Sequence, residues 1–262
     1  MTRARDLANI ADGDITGTLN LDGLTVAGNV SVDSGTIKLD GNYPVGTGNV
    51  ALGDTALSNG SLSGGSNTAV GFQALQANTT GAENSAFGNR AGDAISTGAG
   101  NTAVGYFSLS STTTANNNTA VGVDSLGLNQ TGADNTAVGA DAIRSNTTGA
   151  SNTGLGKDAL RSNTTGNDNV AVGQQALEDN TASGNTAVGY ASMYQNTSGT
   201  SNVGLGYLAL SQNTTANLNT AIGNDALQVN TTGANNVAVG AQALDANTTA
   251  SNNVAVGTYA LT

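Results

Sequence analysis

Apolar residues in this chain return in short groups at a fixed interval rather than in helix-length or strand-length runs. In Asn135-Thr136-Ala137-Val138-Gly139 a polar residue, a small one and a bulky apolar one lead to a glycine, and Ala142-Ile143 follows as a second apolar pair. The same phrase, lightly edited, is closed by Gly53, Gly71, Gly88, Gly105, Gly122, Gly139, Gly156, Gly173, Gly189, Gly206, Gly223, Gly240 and Gly257. These glycines lie 17 residues apart, with one interval of 18 and one of 16. A period that strict marks a solenoid, in which each repeat is one coil stacked on the last. The predicted fold class is therefore all-β, a parallel β-solenoid or β-roll of thirteen coils.

Within the idealised repeat N-T-A-V-G-x-x-A-L-x-x-N-T-T-G-A-x, the position after the first Asn is Thr, Ser or Val. The next is always Ala or Gly, and the third is always sizeable and apolar, as in Val70, Phe87, Val138, Leu155 and Ile222. Strand side chains alternate, so one face of this short strand carries bulk and the other stays small. The pattern predicts Val in the coil core and Ala on a face that approaches a neighbouring chain. The Ala-Leu pair predicts a second short strand or a tight turn whose Leu meets the strand Val. In Asn-Thr-Thr-Gly, Asn and Gly are expected to supply positive φ at a corner. The corner asparagines also match the glycosylation acceptor pattern, which here reads as turn chemistry.

Two asparagine columns follow from the stacking. One starts each strand, at Asn67, Asn101, Asn118, Asn135, Asn152, Asn169, Asn185, Asn202, Asn219 and Asn236, and the other stands at the corner. At a rise of about 4.8 Å per coil, equivalent amides can bond along the stack, and the repeats span roughly 55 to 60 Å. The coil from Gly88 to Gly105 has Ala91-Gly92 where Ala-Leu belongs, with Ala94-Ile95 beyond, which predicts a displaced loop. Ahead of the repeats, residues 1–14 read as a lead-in or attachment segment. Residues 15–47, with alternating Leu19, Leu21, Leu24, Val26, Val30, Val32, Ile37 and Leu39, read as a small β module, and residues 48–262 as the solenoid.

Each coil offers about two large apolar side chains, roughly 3 to 6 kcal/mol of burial. Ordering 17 backbones costs on the order of 17 to 34 kcal/mol. Ladder hydrogen bonds narrow that gap, and packing between chains through the small Ala/Gly face is expected to supply the rest; the alternative puts that face inside a very thin monomeric solenoid.

Charge and composition remove several functions. The formal charge is −11 and the seven basic residues are scattered, so the chain lacks the basic patch that nucleic acid or an anionic membrane requires. Cysteine and histidine are both absent, which removes thiolate sites, the usual general base and the commonest metal ligand. Charges at Arg3, Arg5, Asp6, Asp12 and Asp14 interrupt the region where a signal peptide would lie, and no apolar run is long enough to span a membrane. Gly-Leu-Gly at Gly154 and Gly204 lies inside the repeat and lacks the setting of a dinucleotide fingerprint. The chain therefore reads as a non-enzyme without a required cofactor.

Three sets of side chains stand at positions the repeat leaves free. Asp124, Asp141 and Asp158 recur in successive coils and could bring a Ca²⁺, although Arg144, Lys157 and Arg161 lie in the same neighbourhood and can screen them. Tyr190 and Tyr207 directly follow the strand glycine in adjacent coils, with Tyr194 nearby, while Tyr106 and Phe107 form a sparser group. Such surface aromatics are candidate contacts for a receptor or glycan, their ring faces offering apolar area beside a polar tip. Threonine columns raise a remote ice-binding reading. Val170, Val203, Val237 and Val254 interrupt them.

The run N-T-A-V-G-x-x-A-L-x-x-N-T-T-G, repeated from about Asn49 to Leu261, resembles repeats of bacteriophage tail fibres and of trimeric autotransporter adhesin heads. Thr2-Arg3-Ala4-Arg5-Asp6-Leu7-Ala8 and Gly35-Thr36-Ile37-Lys38-Leu39-Asp40-Gly41-Asn42 look like the N-terminal portion of tail-fibre proteins of marine tailed phages. The resemblance implies a homotrimeric fibre on a virion, in contact with other tail proteins and projecting a surface toward a host receptor. Autotransporter adhesins carry a signal and a membrane anchor, and their absence from this sequence favours the phage reading. The alternative is a cell-surface adhesin or a self-assembling extracellular filament subunit.

Overall fold

A computed structural model describes residues 47–262, so the expectations for residues 1–14 and for 15–46 of the β module lie outside the described residues. Thirteen three-residue strands run from β1 (Val50–Leu52) through β6 (Thr136–Val138) and β7 (Thr153–Leu155) to β13 (Val254–Val256). They form one parallel sheet in which every strand pairs with the next in sequence. Register is strict: Thr136 lies beside Thr153, Ala137 beside Gly154 and Val138 beside Leu155. The chain is thus a parallel β-solenoid with a 17-residue coil, and the described residues contain no helix.

The two strand faces are the reverse of the expected assignment. Ala137 is wholly buried and Val138 is 39% exposed, and the same order holds at Ala187 and Val188 and at Ala221 and Ile222. The core cluster consists of strand alanines together with the Ala-Leu pairs, such as Ala159 and Leu160, and the strand valines lie outside it. Space is the reason. A thin coil already filled by one Leu per turn leaves room for a methyl group and no more. At Gly154 and Gly204 even that methyl is lost to a neighbouring turn residue. A Cβ on Gly154 would stand 2.7 Å from Ile143 Cγ1, and one on Gly204 would stand 2.7 Å from Ser192 Oγ.

The Ala-Leu segment is a turn, and its Leu is left-handed. Ile143 has φ 49° and Leu160 φ 53°, and the residues two before them, Asp141 and Asp158, are left-handed as well, at 56° and 59°. A third left-handed residue, such as Ser151 at 58°, precedes each strand asparagine. Left-handed backbone is costly for side chains of this kind. Here most such residues turn the N–H along the stacking direction. Asp141 donates to the Val123 carbonyl at 3.0 Å, Ile143 to the Ala159 carbonyl at 2.9 Å and Ser151 to the Ala133 carbonyl at 3.0 Å. The strain is offset by an intercoil hydrogen bond at most of these sites.

Positive φ therefore falls elsewhere than at the Asn-Thr-Thr-Gly corner, contrary to expectation. The corner glycine is required for room: a Cβ on Gly149 would meet Asn146 Oδ1 at 2.5 Å and press on the Gly166 carbonyl. Gly139, which closes the strand, needs both freedoms. Its φ is 134°, and an added Cβ would lie 2.6 Å from the Gly156 carbonyl carbon.

Both asparagine columns are hydrogen-bond ladders in the interior. The Asn152 backbone N–H and Nδ2 donate to Asn135 Oδ1 at 2.9 and 3.1 Å, and Asn135 Nδ2 donates to the Gly149 carbonyl at 2.9 Å. The pattern runs through Asn67, Asn101, Asn118, Asn169, Asn185, Asn202, Asn219 and Asn236, and also takes in Asn49, Asn84 and Asn253. At the corner, Asn146 Nδ2 donates to Asn129 Oδ1 at 2.7 Å and to the Gly149 carbonyl at 2.8 Å. These corner amides are buried and already bonded, which suits turn chemistry. One corner threonine hydroxyl is committed too, Thr147 Oγ1 donating to the Thr164 carbonyl at 3.0 Å.

The coil between Gly88 and Gly105 is not displaced. Ile95 occupies the corner-asparagine position and is fully buried, filling the space that Gly92 leaves at the Leu position. A Cβ on Gly92 would come within 2.9 Å of Ile95 Cδ1. The Ile95 N–H donates to the Gly92 carbonyl at 3.0 Å, just as the Asn146 N–H donates to the Ile143 carbonyl at 3.2 Å. The exchange keeps the backbone path and costs one ladder rung. Asn78 Oδ1 is left buried without a partner, because Ile95 has no amide to offer it. Asn163 Oδ1 is similarly orphaned beside the 16-residue coil, where Asn180 turns its amide to the Ala182 carbonyl at 2.8 Å.

Candidate functional site

With Ala, Leu and Asn committed to the interior, much of the variable chemistry stands one, two, five and six places after each closing glycine, and a further variable position, held by Glu83, Asp134, Asp168 or Leu218, precedes the strand asparagine. Stacking aligns the positions after the glycine into columns on the turn side of the coil. Tyr190 and Tyr207, each one place after its glycine, lie with ring centroids 5.3 Å apart and planes at 16°, a parallel stack. Both are exposed, at 43% and 51%.

Beside this stack is a surface groove of about 370 Å³. Tyr190 and Tyr194 supply its aromatic walls, and Gln175, Gln195, Gln212 and Gln228 its amides. Ala191, Leu208 and Ser211 complete the lining. Ala191 and Leu208 follow their glycines by two places and are held left-handed by the fold. Near Gln175 and Tyr194 of the groove stands Glu178, only 8% exposed, with Oε2 buried and unpartnered. Burial pushes its carboxyl above the ordinary value, a hydrogen bond with Gln175 opposes the rise, and Asp158 and Asp179 add to it. The Glu178 carboxylate, aided by burial, in turn raises the Tyr194 phenol. Tyr194 is therefore a neutral hydroxyl donor throughout the physiological range.

The earlier aromatic group differs in kind. Tyr106 and Phe107 meet edge to face, with centroids 4.4 Å apart and planes at 76°. The Arg90 guanidinium lies 4.8 Å over the Phe107 ring, and Arg90 Nε also donates to Asp93 Oδ2 at 2.8 Å. A second groove of about 400 Å³ brings Tyr106 and Phe107 together with Asp124 and Arg144. The aspartate column is interleaved with cations rather than gathered around a vacant centre. Arg144 lies 3.8 Å from Asp124 and 3.3 Å from Asp141, Lys157 lies 3.6 Å from Asp158, and Arg161 lies 3.7 Å from both Asp158 and Glu178. Among the described residues no three acidic side chains converge as a metal-binding group. None of their helices, since there are none, could cross a membrane.

Fold and surface together define a parallel β-solenoid repeat protein with a tyrosine- and glutamine-lined groove. Compared with known protein families, with curated proteins and with solved structures, the chain matches none. The tyrosines of the groove were visible in the sequence as departures from the repeat. The glutamines and Glu178 were not singled out there, although all five stand at free positions, because their convergence depends on stacking neighbouring coils.

Proposed function

We propose that this protein is a structural fibre subunit of a phage tail that self-associates as a homotrimer and carries a host-recognition surface. The observation that supports this reading most is the outward column at the third strand position. Every coil places an apolar residue there, and Leu52, Phe87, Val138, Val188, Ile222 and Val256 are each at least 38% exposed in the single chain. Scattered exposed apolar residues are ordinary, whereas a continuous uncharged column of them is an association surface. Its regular step matches that of another copy of the same solenoid. The interface of this assembly is the valine column, since the strand alanines are inside the coil.

On this reading the aromatic grooves, on the turn side of the coil, remain open to contact a receptor, and the neighbouring partners are other virion tail proteins. Light scattering and electron microscopy of the purified chain test the proposal together: discrete trimeric fibres are expected, and a monomer at micromolar concentration ends it. Open end-to-end filaments would instead support an extracellular filament subunit.

A further inference from the structure

Resting on the recognition role just proposed, the structure also bears on the chemistry of what is recognised. We propose that the groove between Tyr190 and Gln228 binds an uncharged saccharide, its rings lying on Tyr190 and Tyr194 and its hydroxyls paired with the glutamine amides.

Three observations carry this. First, the lining contains no charged side chain, in a chain whose formal charge is −11. Second, four of the nine glutamines in the whole sequence converge on this one groove from four different coils. A primary amide presents a donor and an acceptor side by side, which is what a vicinal hydroxyl pair requires, and it gives no preference to a charged ligand. Third, the aromatic faces are available. Tyr190 is pre-ordered by its stack on Tyr207 and exposed at 43%, so a flat apolar ring face can cover it at little cost in side-chain entropy.

The surroundings argue against charged ligands of either sign. Glu178 and Asp179, next to the Tyr194 side of the groove, repel an anionic sugar acid. A cationic ligand finds no carboxylate in the lining, and Glu178 itself is almost wholly covered. The Tyr106 and Phe107 groove, by contrast, contains Asp124 and Arg144, which are engaged with each other, and it has no glutamine.

Affinity electrophoresis of the full chain tests the proposal, using native gels that contain dextran, soluble starch, galactomannan or β-glucan as neutral polymers and polygalacturonate as the anionic one. Retardation is expected in at least one neutral gel and not in polygalacturonate. Tyr190→Ala and Gln212→Ala should each weaken it by about tenfold, while Tyr190→Phe and Tyr106→Ala keep it. Unchanged circular dichroism melting shows that the variants are folded. Absence of retardation across the neutral panel, retardation by polygalacturonate, or retention that survives Tyr190→Ala overturns the proposal; capture of peptides instead of polysaccharide does so too. A trimer that ignores saccharides sinks only the groove assignment, whereas a monomer that binds them sinks only the fibre reading.

Discussion

Ala137 and Val138 are neighbours on one strand, and the more hydrophobic of the two is the one left exposed. Hydrophobicity alone would place them the other way round. The inner side of β6 faces a coil one Leu wide, where Ile143 and Leu160 take the volume and a methyl is the largest group that fits. The outer side has no such limit within the chain, and there Val, Leu, Ile and Phe interchange from coil to coil. The inside is thus governed by volume and hydrogen bonding, while the outside is governed by what lies against it. Close packing makes the first kind of site intolerant of even small additions.

The sharpest test of the inner side is its ladder. Asn135→Ala strands the Asn152 N–H while the Gly149 carbonyl keeps its bond from Asn146 Nδ2, and at about 1 to 3 kcal/mol for a buried unsatisfied group the cost is about 1 to 3 kcal/mol. Urea unfolding measures it, and a loss below about 0.5 kcal/mol, the usual range for surface sites, would show that the ladder is ornamental. Next comes a matched pair on one strand. Ala137→Leu overfills the coil and is expected to cost about 1 to 3 kcal/mol. Val138→Leu, on the outer side, should stay within about 0.5 kcal/mol. Equal effects would break the distinction between the faces.

The outer side is tested by association rather than folding. Replacing Val121, Val138 and Leu155 together by Ser should shift the sedimentation of the assembly to that of a single chain while the β signature in circular dichroism persists. An unshifted oligomer would place the interface elsewhere.

The smallest effect concerns Glu178, a free position that neighbouring coils have nonetheless covered. Its carboxyl titrates higher folded than unfolded, so between those two values the folded chain holds a proton that the unfolded chain has released. Stability consequently falls as pH rises from the ordinary glutamate range through that window, and stays lower above it. Glu178→Gln should flatten this slope and leave the neutral-pH melting temperature equal or slightly higher. A steeper slope in the variant would contradict the sign.

How much could be read before folding differs from residue to residue. The Asn135 column was legible because a polar residue repeated at one phase of an apolar motif needs a partner, and its partner one coil away is itself. Alternation along Thr136-Ala137-Val138 was legible as two faces, but alternation does not say which face is inside. Left-handed Ile143 was not legible, since bulky side chains normally avoid that region and only the carbonyl of Ala159 in the next coil makes it worthwhile. The pairing of Gly92 with Ile95 looked like a defect along the chain, and in space it is one filled volume. At the groove, Tyr190 and the Tyr207 stacked beside it stood out as rare residues at equivalent positions, while the glutamines stand in three different columns.

The amino-acid sequence by itself determined the period, the parallel in-register stacking and the asparagine ladders, because a strict repeat aligns each residue with its own copy in the next coil. Tertiary structure alone decided which face became the core, which residues turned left-handed and which free positions met in a groove. Those outcomes depend on the width of the coil and on contacts within and between neighbouring coils, quantities that exist only once the coils are stacked.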